Sequence, residues 1–140
     1  MSVITEIYRA LQERDVESLQ LLLHPDFEGH IAAGMPYGLG GAHHGPRAML
    51  TDVWGVIARW YDTAPYPERV IDAGDGLTIV TGRYRGRARS TGQAYEAEFA
   101  HIWRVGSEQA RSFHQYTDTA QWIRATDAGG PPSGEVKGEQ

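Results

Sequence analysis

Tyr95-Glu96-Ala97-Glu98-Phe99-Ala100-His101-Ile102-Trp103-Arg104-Val105 decides the fold. Phe99, His101, Trp103 and Val105 fall on alternate positions, the period of a strand with one buried face, while Glu96 and Glu98 face away. Turn signals bound the stretch: Ser90-Thr91-Gly92-Gln93 before it and Gly106-Ser107-Glu108-Gln109 after it. Working outward, Leu77 to Arg89 reads as the preceding strand and Ala110 to Thr117 as the following one. Gly74-Asp75-Gly76 turns the chain back from Val70 and Ile71. Consecutive hairpins of this kind make an antiparallel meander.

The residues before the meander are helical. Ser2 can cap a helix whose stripe is Ile4, Ile7, Tyr8 and Leu11, and Asp15 can cap a second with Val16, Leu19, Leu22 and Leu23. Pro25 stops the second helix, and Phe27 to Ile31 reads as a short strand. Residues 33–46 hold five Gly and two Pro, which predicts a loop without a regular element. Pro46 suits the first turn of a helix running to about Tyr61, with Met49, Leu50, Val53, Trp54, Ile57 and Trp60 on its apolar stripe. Helices first and strands after predict an α+β fold. Residues 1–126 form the expected domain and 127–140, rich in Gly, Pro and charge, a disordered tail.

At 140 residues with 41% apolar and 22% charged side chains, the composition is that of one ordinary globular domain. The formal net charge of −5 does not advertise nucleic-acid binding. Arg83, Arg85 and Arg87 alternate along one strand and share a face. With no cysteine, disulfides and thiolate chemistry are excluded, which fits a reducing compartment. The first residues do not read as a signal peptide, and no apolar run approaches the roughly 20 residues of a membrane span. A cytoplasmic location is the expectation.

Taken together, Leu21-Leu22-Leu23-His24-Pro25-Asp26-Phe27, Gly38 to Gly45, Val70-Ile71-Asp72-Ala73-Gly74-Asp75, Gly82-Arg83-Tyr84-Arg85-Gly86, Phe99 to Val105 and Phe113-His114-Gln115-Tyr116-Thr117-Asp118 resemble, in order and spacing, the SnoaL-like branch of the nuclear transport factor two-like superfamily. The resemblance implies a cone: a curved antiparallel sheet closed on one side by N-terminal helices, commonly paired as a homodimer. It implies cofactor-free chemistry on a hydrophobic small molecule. Its relatives span polyketide cyclases, ketosteroid isomerases, limonene-type epoxide hydrolases and epoxide-opening cyclases, besides proteins that only bind, so fold alone does not set the activity.

His101 is the first catalytic candidate, a group able to move a proton near neutral pH from an apolar face; SnoaL-like cyclases resemble the chain in carrying a pocket His there. On the last strand Phe113, Gln115 and Thr117 share one face, and His114, Tyr116 and Asp118 the other. Gln115 stands where epoxide-hydrolase relatives have a carboxylate; it cannot act as a base but can orient a substrate oxygen. Asp118 is read as a helix cap or an acid/base group, and Tyr37 as an oxyanion donor or an aromatic lid. Met35, Trp54, Arg83, Phe99, Trp103, His114 and Tyr116 are the candidate substrate contacts; Arg83 facing the pocket would suit an anionic substrate. His43-His44 lacks a nearby carboxylate, so no metal site is expected. The expected function is a cofactor-independent cyclase or isomerase of secondary metabolism, acting on a polyketide-like or terpenoid-like molecule. The alternatives are a non-catalytic binder of the same fold and an epoxide-opening enzyme.

Overall fold

Ser2 accepts the backbone N–H of Thr5 and starts α1 (Val3–Glu13), whose buried residues Ile4, Ile7, Tyr8 and Ala10 repeat at helical spacing. Burying a side chain the size of Ile stabilises by about 1.5–3 kcal/mol, more than the helix's own propensities provide. Arg14 ends α1 at φ 57°, a left-handed cap whose N–H returns to the Ala10 carbonyl. Asp15 accepts the N–H of Ser18 and opens α2 (Val16–Leu22). These elements belong to a computed structural model that describes residues 2–127.

β1 (Leu23–Ile31) follows α2 directly, and β2 (Gly41–His44) folds back on it. The glycine-rich stretch therefore contains a strand after all. Four pairs, from Ile31 with Gly41 to Glu28 with His44, hold it, and an edge position tolerates Gly without a buried face to fill. α3 (Gly45–Ala48) and α4 (Gly55–Trp60) are separated by a π-helical turn, Met49–Trp54, that the apolar spacing does not reveal. A Cβ built on Gly55 would lie 2.6 Å from the carbonyl oxygen of Leu50, five residues earlier. Gly55→Ala is accordingly expected to destabilise by about 1–3 kcal/mol, as overpacking does. Chemical denaturation measures it, and an unchanged midpoint would contradict the crowding.

β3 (Tyr61–Gly74) begins earlier than expected and passes through Pro65 and Pro67. Proline is tolerated there because β3 is the outermost strand, so a missing N–H orphans no ladder partner. β4 (Leu77–Ala88), β5 (Ala94–Val105) and β6 (Ala110–Thr117) complete the meander, and α5 (Thr119–Ala125) caps it. Asp75 and Gly76, both at positive φ, make the tight turn between β3 and β4.

The strand order is β2-β1-β6-β5-β4-β3. All pairings are antiparallel except β1 with β6, which run parallel. The sheet curls strongly: Cβ atoms built on Gly82 and Gly86 would strike the β3 carbonyls of Tyr66 and Asp62, so glycine lets β3 fold over β4. The concave side is filled by the helices and an aromatic core that includes Phe27, Tyr61, Trp103 and Trp122. Trp122 of α5 lies fully buried against the rings of Tyr61, Tyr84 and Tyr95. Apart from Asp127, the expected tail lies outside the described residues. Among the described residues no helix is long and apolar enough to cross a membrane.

Candidate functional site

The alternation in β5 places His101 on the concave face, 1% exposed, between Phe99 and Trp103. Phe99 stacks on its ring at 4.0 Å between centroids. Both ring nitrogens are engaged by tyrosines from other elements: Nδ1 lies 2.6 Å from the hydroxyl of Tyr8 on α1, and Nε2 2.8 Å from that of Tyr84 on β4. Trp103 donates its indole N–H to the Tyr8 oxygen at 3.0 Å. Gln115 of β6 donates its amide N–H to the Tyr84 oxygen at 2.9 Å, while its own carbonyl accepts the backbone N–H of Ala32 at 3.3 Å. Five side chains from four elements thus form one buried polar network.

Burial sets the charge state of this network. Desolvation holds the His101 pKa well below 6.5, so the ring is neutral at physiological pH and not the readily titrating group that its residue type suggests. The same desolvation pushes the Tyr8 and Tyr84 hydroxyls far above the ordinary tyrosine range. All three groups are uncharged donors and acceptors.

A cavity of about 140 Å³ opens on this network. Tyr84, His101 and Trp103 form its polar floor and Phe113 adjoins them. Leu11, Leu19, Leu50, Trp54 and Ile57 make the apolar walls; Arg14, Thr63, Ala64 and Pro65 also border it. No carboxylate lines it. An apolar space of about this size holds a single benzene-sized ring.

Of the expected site residues, His101, Trp103 and Trp54 line the cavity. Gln115 is buried one step behind it, orienting Tyr84, and Phe99 and Met35 are buried without lining it. Tyr37 does not reach the network: held at φ 63°, it is 40% exposed and stacks flat on Trp60 at 4.7 Å. Asp118 is exposed, occupies the N-cap of α5 without a side-chain hydrogen bond, and is absent from the cavity. Arg83 faces the outer side, because Gly82 and Tyr84 take the inner one; there it meets Glu68, Glu96 and Glu98. His114 and Tyr116 share that outer side. His114 stacks on His30 at 4.4 Å, and Tyr116 is 52% exposed. His43 bonds the Leu39 carbonyl oxygen through Nε2 at 2.8 Å. Among the described residues no group of three or more His, Cys, Asp or Glu is arranged to hold a metal ion.

Tyr8 and Tyr84 are the residues that motif reading passes over. Tyr8 sits in the apolar stripe of α1, where a tyrosine reads as core. Tyr84 falls two residues after Gly82 on the inward side of β4, a position the period-2 pattern does mark.

A curved sheet wrapped around helices with a pocket in its concave side defines the NTF2-like class. The chain belongs to the SnoaL-like domain family, whose model matches residues 4–112. An NTF2-like protein from Burkholderia thailandensis E264 is 27% identical and superposes with a TM-score of 0.81, over 89% of this chain and 95% of that one. TerC, co-crystallised with polyporic acid, is 23% identical with a TM-score of 0.79, covering 89% and 95%. IdmH of Streptomyces antibioticus, described as a candidate polyketide cyclase, is 19% identical with a TM-score of 0.72, covering 86% and 93%. None of the curated proteins matches the sequence.

Proposed function

We propose that the protein is a cofactor-independent isomerase or cyclase that relocates a proton on a ring-bearing, polyketide-like or terpenoid-like small molecule. The observation that carries this reading is the Tyr8–His101–Tyr84 relay opening onto an apolar cavity. A neutral imidazole has one N–H. One tyrosine therefore donates its O–H to the ring, and the other accepts the ring's N–H. The accepting tyrosine keeps its own proton for a further partner. Because Tyr84 and not Tyr8 borders the cavity, the tautomer with hydrogen on Nε2 leaves the Tyr84 O–H free to donate to a substrate oxygen. In the opposite tautomer Tyr84 donates to Nε2 and offers a lone pair to the cavity instead. Giving the Tyr84 proton to a substrate draws the Nε2 proton to Tyr84 and the Tyr8 proton to Nδ1, leaving the negative charge on Tyr8; taking a proton back from the substrate through Tyr84 reverses each shift and restores the neutral network.

Donation by Tyr84 to a developing enolate oxygen is oxyanion stabilisation, and one such donor is worth about 10²–10³ in turnover. Trp54 and the leucine walls hold the ring in reactive geometry. Two neighbours of the same fold support this reading: TerC, which was co-crystallised with polyporic acid, and IdmH, a candidate polyketide cyclase.

A second reading, a binding protein without turnover, rests on the missing carboxylate: no lining group is a strong base. Native mass spectrometry with polyketide, terpenoid and epoxide panels separates the two. A ligand released as an isomerised or cyclised product supports the enzyme; one released unchanged supports the binder. With a substrate in hand, Tyr84→Phe is expected to lower kcat about 100-fold with little change in KM. Undiminished turnover in that variant would remove the relay from the chemistry.

A further inference from the structure

A polar groove of about 290 Å³ adjoins the cavity and shares Arg14, Thr63 and Ala64 with its border. Gln12, Asp62, Tyr66, Arg85, Gly86 and Arg87 complete it. Three of these side chains are guanidinium groups and one is a carboxylate, and carboxylates already pair with two of the three arginines. Asp62 already pairs with Arg14 at 2.9 Å. Arg85 lies 3.2 Å from Glu96 and 3.9 Å from Glu68, and also sits over the ring of Tyr66. Arg87 has no carboxylate partner among the described residues, although it is paired in register with Asp62.

Arg14 adds an independent observation. It holds a left-handed conformation at a helix C-terminus, where glycine is the unstrained choice. Arg14 borders both the cavity and the groove.

The cavity takes one ring, less than the about 300–1,000 Å³ of an ordinary ligand pocket, so the rest of a substrate must leave through the mouth. We infer that the groove is an anion subsite: the substrate is amphipathic, with its ring in the cavity and a carboxylate held by Arg87 and Arg14. A planar carboxylate matches the guanidinium fork. This inference rests on the cavity reading above and names the substrate class that the site accepts.

Two probes test it on the full chain, 3-phenylpropionate and its neutral amide, 3-phenylpropanamide, with affinity by titration and the Trp54 and Trp103 indole NMR signals as the cavity reporter. Both probes shift those signals, and the acid binds about two- to fivefold tighter than the amide, the upper part of the range for an exposed charge pair. Raising the salt shrinks that ratio. Arg87→Gln brings the ratio close to one while leaving the amide's affinity in place. Equal binding of acid and amide to the wild type, or discrimination that survives in both Arg87→Gln and Arg14→Gln, overturns the anion subsite and leaves the cavity reading standing. Indole signals that neither probe moves would sink both.

Discussion

Trp103→Ala is expected to remove about 3–5 kcal/mol of folding stability, the range for emptying an aromatic site in a packed core. Trp103 is fully buried near the C-terminal end of β5. It packs against Phe113 at 4.5 Å between centroids, meets Tyr8 edge-on at 6.1 Å, and lies 6.4 Å from Phe27. The truncation also strips Tyr8 of its indole donor and merges a new void with the existing cavity. Domains of this kind hold only about 5–15 kcal/mol in total, so the loss is a large part of the whole. Trp103→Phe separates the two contributions: it keeps most of the bulk, deletes the N–H, and is expected to cost less. Urea titration of all three proteins gives the comparison. A loss under about 1 kcal/mol for the alanine variant would mean that the walls collapse into the space and that the cavity is not rigid.

The second large effect is acid sensitivity from His101. The native ring resists protonation because it is buried, whereas the unfolded ring protonates around 6.5. Between the depressed native pKa and 6.5 the unfolded state binds the extra proton, so acid favours unfolding. The contribution of His101 is fully present above pH 6.5 and is lost as pH falls below it. The slope approaches about 1.4 kcal/mol per pH unit until the native ring itself protonates. His101→Gln keeps one donor and one acceptor between the two tyrosines but cannot titrate. It is expected to start less stable near pH 8 and to flatten the decline between pH 6.5 and pH 5. Melting both proteins across that range isolates the effect, since the other five histidines are common to both. Parallel pH profiles would show that the ring takes up its proton while the protein stays folded.

How far the sequence speaks depends on the distance over which each feature is decided. The alternation in β5 is local, and it identified His101 and Trp103 correctly as concave-face residues. Capping by Ser2 and Asp15 is local too, and both caps form. The partners of His101 are not local: Tyr8 is 93 residues away, and its place in an apolar stripe hides a polar role. Tyr84 was marked by its spacing but needed the fold to bring it to the ring. The orientation of Arg83 stayed open until the register set it opposite Glu98. In the sequence Tyr37 reads as an oxyanion donor or an aromatic lid, and Asp118 as a helix cap or an acid/base group. Stacking on Trp60 holds the first outside the cavity, and the end of β6 leaves the second exposed. The π-turn and β2 escaped notice because neither carries a periodic signature distinct from the helix and loop around it.

The parallel seam between β1 and β6 has a consequence for the making of the molecule. On the ribosome, Gly29 and His30 of β1 emerge 84 residues before their partners Phe113 and His114 on β6. Until then His101 and Trp103, against which Phe113 of β6 packs, have only part of their covering. The closing step is a long-range one, of the kind that folds slowly and leaves apolar surface open to association. A nascent chain that stops before β6 is therefore expected to remain protease-sensitive and to engage holding chaperones. Emergence of β6, more than the synthesis of any helix, is the step expected to commit this protein to its shape.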